Sequence, residues 1–167
     1  MLTITETRAA EIPASELWKV WDNFANIYVF NPNITHSRII NGTAENGLGA
    51  ERQCDLPGKN QYLRERVVEY RPEKRLVVEI FDTSLPMKSM GAEIAFKALG
   101  PNRTQITMTA TATPKFGLLG RLMTLPMRPM MRRQIGSLLE ASIRYALTGE
   151  EANPRRVRPV VDKPVAA

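Results

Sequence analysis

The chain has 167 residues but only one cysteine, Cys54, and one histidine, His36. A lone cysteine excludes an internal disulfide and any multi-cysteine metal site. A lone histidine excludes a poly-His metal centre, any mechanism that needs two imidazoles, and a Ser-His-Asp set. Aromatic residues are 7% of the chain, and none interleaves with the basic residues as a base-stacking platform would require, so nucleic acid is not the expected partner. Gly47-Leu48-Gly49 lacks the rest of a dinucleotide fingerprint and opens a strand rather than a helix. No apolar run reaches membrane-spanning length. The first residues, MLTITETRAAEI, carry neither a basic start nor a signal-length apolar core. The expectation is a cytoplasmic chain without metal or cofactor.

What remains is ordinary globular composition, 43% hydrophobic and 24% charged, at a length that suits one domain. The net charge of +6 is unevenly placed. Residues 1–114 carry 13 basic and 13 acidic side chains. Residues 115–149 carry six basic residues (Lys115, Arg121, Arg128, Arg132, Arg133, Arg144) against Glu140 alone. The basicity is therefore a local feature of one C-terminal segment.

Near-alternation of Thr3, Ile4, Thr5 and Thr7 predicts a strand over 3–10. Ser15 stands as an N-cap before a short helix over 15–24, whose Leu17, Val20, Trp21 and Phe24 recur at helical spacing. A second short helix is expected over 25–30. Six β-type runs follow, at 34–41, 48–56, 61–70, 75–82, 88–99 and 103–113. They are broken at Asn41-Gly42, Pro57-Gly58, Arg71-Pro72 and Gly100-Pro101-Asn102. Such short connections allow only antiparallel neighbours. Ala50, Arg52, Cys54 and Leu56 alternate with Glu51, Gln53 and Asp55. Met90, Ala92, Ile94, Phe96 and Ala98 share a face, as do Ile106, Met108, Ala110 and Ala112 opposite a row of threonines. One sheet face is thus apolar and the other wet. The cover is a long helical stretch after 116, expected to kink or restart at Pro126 and Pro129 and to end at Gly149. Residues 150–167, rich in Pro and Arg, are expected to form a disordered tail.

Strand, two short helices, six antiparallel strands and a long C-terminal helix make an α+β chain whose curved sheet wraps around that helix. Ala14-Ser15-Glu16-Leu17-Trp18, Phe30-Asn31-Pro32-Asn33-Ile34, Gly47-Leu48-Gly49-Ala50-Glu51-Arg52, Glu65-Arg66-Val67 and Pro114-Lys115-Phe116-Gly117-Leu118-Leu119-Gly120 occur in an order and spacing that resemble the START-like (SRPBCC, helix-grip) superfamily. The nearest branch is that of polyketide cyclase/dehydrase and lipid-transport proteins. The resemblance implies a single START-like domain over 1–149. It also implies a deep cavity between the seven-stranded sheet and the C-terminal helix that holds an apolar small molecule such as a lipid, quinone or polyketide-like compound. The alanines of the inward face are consistent with unfilled volume there; the alternative is a tightly packed core.

The residues expected to line the pocket come from each element. Asn31, Ile34 and His36 stand at the helix-to-strand junction and the strand after it. Arg52, Cys54, Leu56, Leu63, Glu65 and Val67 follow on the next two strands. Met90, Ala92, Ile94, Phe96, Met108 and Ala110 lie on the later strands, and Leu122, Met127, Met131, Ile135 and Leu139 on the helix. Arg52 and Glu65 are inward-facing charges. They pair with each other or with the helix as structural ions, orient a polar group of the ligand, or serve an aromatase/cyclase or dehydratase (lyase) reaction in which Glu65 or Arg52 assists proton transfer or stabilises an enolate. Binding ranks ahead of catalysis. Tyr62 and Tyr70 fall on the face opposite Glu65. The segment 116–133 concentrates methionine and arginine. It admits three roles: closing the pocket, gating it, or making a transient membrane-surface contact. A module that recruits a partner through the basic helix is a third functional class. Oligomeric state is left open.

Overall fold

A computed structural model describes residues 1–115 and 117–152, with the side chains of 117–126 outside the described set. Its elements are β1 (Leu2–Ala10), α1 (Ala14–Asp22), a 3-10 turn (Phe24–Val29), β2 (His36–Ile39), β3 (Glu51–Asp55), β4 (Tyr62–Arg71), β5 (Arg75–Thr83), β6 (Met87–Gly100), β7 (Arg103–Pro114) and α2 (Gly117–Thr148). The strands form one antiparallel sheet in the order β1-β7-β6-β5-β4-β3-β2. This is the α+β helix-grip arrangement that the alternation pattern predicts.

Alternation decides which side chains are covered. Leu2 and Ile4 of β1, Ile94 and Phe96 of β6, and Ile106, Ala110 and Ala112 of β7 face inward and are buried. The threonines face out and pair across strands, Thr5 with Thr109 and Thr7 with Thr107, each at 3.0 Å between hydroxyls. Between Ile4 and the buried Ala10 the inward face of β1 carries Glu6 and Arg8, and both meet α2: Arg132 lies 3.3 Å from Glu6, and Arg8 donates to Glu140 at 3.0 Å. Gly136 makes room for that crossing, because a Cβ there would sit 2.9 Å from Arg8 Nη2.

Several expectations change. Ser15 does not cap α1; Pro13 does, through its carbonyl, which accepts from the N–H groups of Glu16 and Leu17 at 3.2 Å. The fixed φ of proline sets the helix start one residue earlier. Helix α2 does not restart at Pro126 or Pro129. Each proline removes one donor, and the rest of the ladder carries the helix through. It ends at Gly149, whose φ of 70° suits the left-handed cap and whose N–H donates to Tyr145 O at 2.8 Å. Ala152 N–H then donates to Val29 O at 2.9 Å. The rest of the expected tail, 153–167, lies outside the described residues.

The outer face of β3 is not wet. Glu51 and Gln53 are both buried. Glu51 accepts from Arg66 Nε at 2.7 Å and from Asn41 Nδ2 at 2.5 Å, and Gln53 accepts from Arg64 at 3.0 Å. The Asn41 and Arg66 hydrogen bonds hold the Glu51 carboxyl below its usual range. Long arginine stems cover this face, so polar side chains are buried there without facing the core.

The placing of Tyr70 is also reversed. Val67 pairs with Val78 but Glu69 pairs with Val77, so one extra residue, the exposed Val68, bulges out of β4. The bulge shifts the side-chain parity, and Tyr70 turns inward. Its hydroxyl donates to Asp22 Oδ1 at 2.5 Å and its ring meets Trp18 edge-on at 5.5 Å. Burial, with the nearby Asp22 carboxylate, pushes the Tyr70 phenol up to about 12. A phenol that holds its proton more tightly when folded contributes stability below its ordinary value of 10 and loses it as pH rises from 10 to about 12. Tyr70→Phe is expected to lose that contribution at neutral pH and to flatten the alkaline fall. Denaturant midpoints measured across this window check it.

Candidate functional site

Helix α1 and the 3-10 turn fill only one end of the grip. Trp18 packs edge-on against Phe96 at 5.3 Å between centroids, and Trp21 against Phe30 at 5.4 Å. Beyond this aromatic cluster a cavity of about 520 Å³ remains between sheet and helix. Its floor includes Trp21, Ile27 and Phe30; its walls include Leu76 and Val78 of β5 with Met90, Ala92 and Ile94 of β6. Alanine at 92 and 112 leaves space where a larger side chain would reach the helix.

Two charges stand in this apolar surround. Arg52 and Glu65 are opposite each other on β3 and β4, and both are buried. Arg52 Nε donates to Glu65 Oε2 at 2.7 Å, and Nη1 donates to Phe24 O at 2.6 Å. The guanidinium lies over the Phe24 ring, 3.9 Å from its centroid. Two hydrogen-bond acceptors and an aromatic face thus hold the arginine, and the pair carries no net charge. Both residues line the cavity. Trp21 Nε1, also at the floor, is buried without a partner among the described residues.

The cavity brings together Asn31, Ile34, Arg52, Leu56, Leu63 and Glu65 from the first half of the expected site. From the second half it collects Met90, Ala92, Ile94 and Met108, with Met127, Met131 and Ile135 from α2. The other expected residues are placed elsewhere. His36 pairs with Asp55 across the β2–β3 ladder and so faces outward. It stacks on Tyr28 at 5.2 Å, with Nδ1 3.9 Å from Asp55 Oδ2. Cys54 faces inward but is fully covered and does not reach the cavity. Burial pushes its thiol well up, which removes thiolate chemistry. Val67, Phe96, Ala110 and Leu139 belong to packed core; Trp18 and Trp21 close over Phe96. Leu122 lies outside the described side chains.

Other lining residues come from segments without a readable period. Pro57 and Gln61 belong to the β3–β4 turn, and Leu85 and Met87 stand at the β5–β6 turn. β5 carries apolar residues on both faces, and the register of Leu76 and Val78 opposite Ile94 and Ala92 turns these two inward.

A curved sheet closed by one helix over a largely apolar cavity defines a helix-grip protein with an internal pocket. The chain belongs to the polyketide cyclase/dehydrase and lipid transport family, whose model matches residues 1–146. Among solved structures it is similar to the Zhui aromatase/cyclase from Streptomyces sp. R1128, at 19% identity and a TM-score of 0.71, covering 95% of this chain and 96% of that one. It is similar to the XoxI protein from Bacillus cereus at 16% identity and a TM-score of 0.71, covering 89% and 97%. Norcoclaurine synthase from Thalictrum flavum, in complex with dopamine and hydroxybenzaldehyde, shares the fold at 13% identity and a TM-score of 0.68, covering 87% of this chain and 86% of that one. No curated protein sequence matches this chain.

Proposed function

We propose that the chain binds, and carries, an apolar small molecule that has one neutral polar end. The observation that supports this reading most is a cavity of about 520 Å³ with mainly apolar walls and one charge-balanced pair, Arg52 and Glu65, in its lining. Apolar walls supply affinity, and a few placed polar groups supply orientation. The ligand's polar end follows from the balance of charge. Glu65 already neutralises Arg52, so a ligand carboxylate would meet an adjacent carboxylate in a poorly solvated site. A hydroxyl or carbonyl accepts from the remaining guanidinium N–H groups at no such cost. Lipids, quinones and polyketide-like compounds offer such an end.

Carriage is favoured over turnover by what surrounds the pair. A general acid or base needs to exchange a proton with its substrate, but Glu65 Oε2 is engaged by both Arg52 Nε and Nη2. Among the described residues no other titratable side chain lines the cavity, and His36 and Cys54 stand outside it.

Native mass spectrometry of freshly purified protein tests this reading. The expected result is a mass above 18.8 kDa that falls to the bare value on denaturation, with an apolar hydroxyl or carbonyl compound in the organic extract. A bare mass, together with no thermal shift from a panel of such compounds, would overturn it.

A further inference from the structure

The cavity has a mouth, and its position follows from exposure. Of the lining residues, Pro57, Gln61, Met130 and Gln134 are exposed, whereas Trp21, Phe30, Arg52 and Glu65 are buried. The opening therefore lies between the β3–β4 turn and the stretch of α2 around Met130. Backbone hydrogen bonds gather two more segments beside it. Ser84 N–H donates to Tyr62 O at 3.1 Å, and Lys115 N–H to Pro86 O at 3.2 Å. One end of the sheet thus carries the segments 31–35, 56–61, 83–88 and 114–115, with 127–134 of α2 across the mouth.

These five segments contain no Asp or Glu. They contain Lys59, Lys88, Lys115, Arg128 and Arg133, besides Arg132, which turns to Glu6. The bordering acids, Asp55 and Asp82, are paired with Arg38 and Arg64 at 3.0 Å, so the unpaired charge of the rim has one sign. Most of the described cations elsewhere are paired, Lys74, Lys97 and Arg144 excepted. Arg8 and Arg132 meet Glu140 and Glu6 along β1, and at the far end of the sheet Arg103 lies 3.1 Å from Glu11. Lys59, Lys88, Lys115 and Arg128 make no ion pair among the described residues. Exposed apolar groups stand between them: Pro57, Pro86, Pro129 and Met130, the last 51% accessible.

We propose that this rim docks the mouth of the cavity onto an anionic lipid bilayer. Cations next to exposed apolar side chains suit the headgroup boundary, where the apolar groups enter the interface and the cations meet lipid phosphates. An acidic protein partner would be served by the charges alone and gives no role to an exposed methionine and three exposed prolines. The purpose of docking, delivery of an apolar ligand without crossing water, rests on the carriage reading; the geometry of the rim does not.

Flotation of the full chain with vesicles tests it. Vesicles of phosphatidylcholine mixed with phosphatidylglycerol are expected to carry the chain at low salt, with at least about tenfold weaker partitioning to phosphatidylcholine alone. Lys59→Glu, Lys88→Glu and Arg128→Glu together are expected to lower anionic-vesicle binding by about a hundredfold. Lys74→Glu, Lys97→Glu and Arg103→Glu change the net charge equally at the opposite end of the sheet. They are expected to cost no more than about threefold, because those sites are screened from a surface bound at the mouth. Met130→Ser is expected to weaken binding several-fold. Absence of vesicle binding, or equal loss from both triple variants, would overturn the proposal. So would binding to soluble polyglutamate as tight as to vesicles and indifferent to Met130→Ser, which would assign the rim to an acidic protein. Native mass measured on the same preparations separates the two readings. A ligand-bearing chain that ignores vesicles defeats docking alone, and a docking chain that never carries a ligand defeats carriage alone.

Discussion

Glu65→Ala is expected to destabilise the fold by about 3 kcal/mol or more, because it leaves the Arg52 charge buried without its carboxylate. The arginine keeps the Phe24 carbonyl and ring. These retained contacts place the loss toward the lower end of the range for broken buried pairs. For a chain of this size the loss corresponds to a fall of roughly 6–12 °C in Tm. Glu65→Gln retains an acceptor and is expected to lose less. The informative variant removes both partners. Arg52→Met with Glu65→Leu leaves no buried charge and is expected to recover stability to within about 1 kcal/mol of the parent, or to exceed it. The same double variant should lose the ligand's preference for a hydroxyl or carbonyl end while still admitting apolar molecules. That division separates what the pair does for the fold from what it does for binding. Denaturant unfolding gives the first, and competition between an apolar compound and its hydroxylated analogue gives the second. A Glu65→Ala variant as stable as the parent would show that Arg52 is solvated, and the pocket would then have to be far wetter than its walls suggest.

The order of elements was legible because turn chemistry and period-two alternation act locally. Gly, Pro and Asn mark the breaks, and short breaks permit only antiparallel pairing. That Arg52 and Glu65 need partners was legible for a related reason, since a charge in register with apolar neighbours must be neutralised; that the partner is on the adjacent strand rather than the helix follows from the β3–β4 register. What failed were statements that depend on counting parity across an irregularity. A single bulged residue at Val68 carried Tyr70 from the outer face to the core. His36 shares a sequence face with Ile34 and Ile40, but β2 spans only His36–Ile39, and pairing with β3 sets its outward direction. Phe96 illustrates a different limit. It faces inward, but the aromatics of α1 and its following turn occupy one end of the grip and leave the other open. Which end is filled depends on where a separate element packs, and no local period encodes that. The mouth of the cavity was equally hidden, since Pro57, Leu85 and Met87 come from turns or their borders.

The distinction between filled and open ends makes a second large effect predictable. Ala92 faces the cavity from the middle of β6, in register with Val78 on one side and Ala110 on the other. Ala50 also faces inward but is 1% exposed and does not reach the cavity. Tryptophan at the two positions should give opposite results. In Ala92→Trp the indole enters empty volume, so the stability change is expected to stay within about 1 kcal/mol, while overlap with the ligand lowers affinity by about tenfold to a hundredfold. The retained mass in native spectra should then disappear. In Ala50→Trp the ring has no space to enter, and overpacking is expected to cost about 1–3 kcal/mol or more. Any ligand loss there should follow only from unfolding. A packed core would make the two variants alike, each destabilised and neither selectively blind to ligand. The pair therefore tests the cavity itself, before the ligand's identity is known. Retained binding in a stable Ala92→Trp protein would move the ligand out of the grip and onto the surface of the chain.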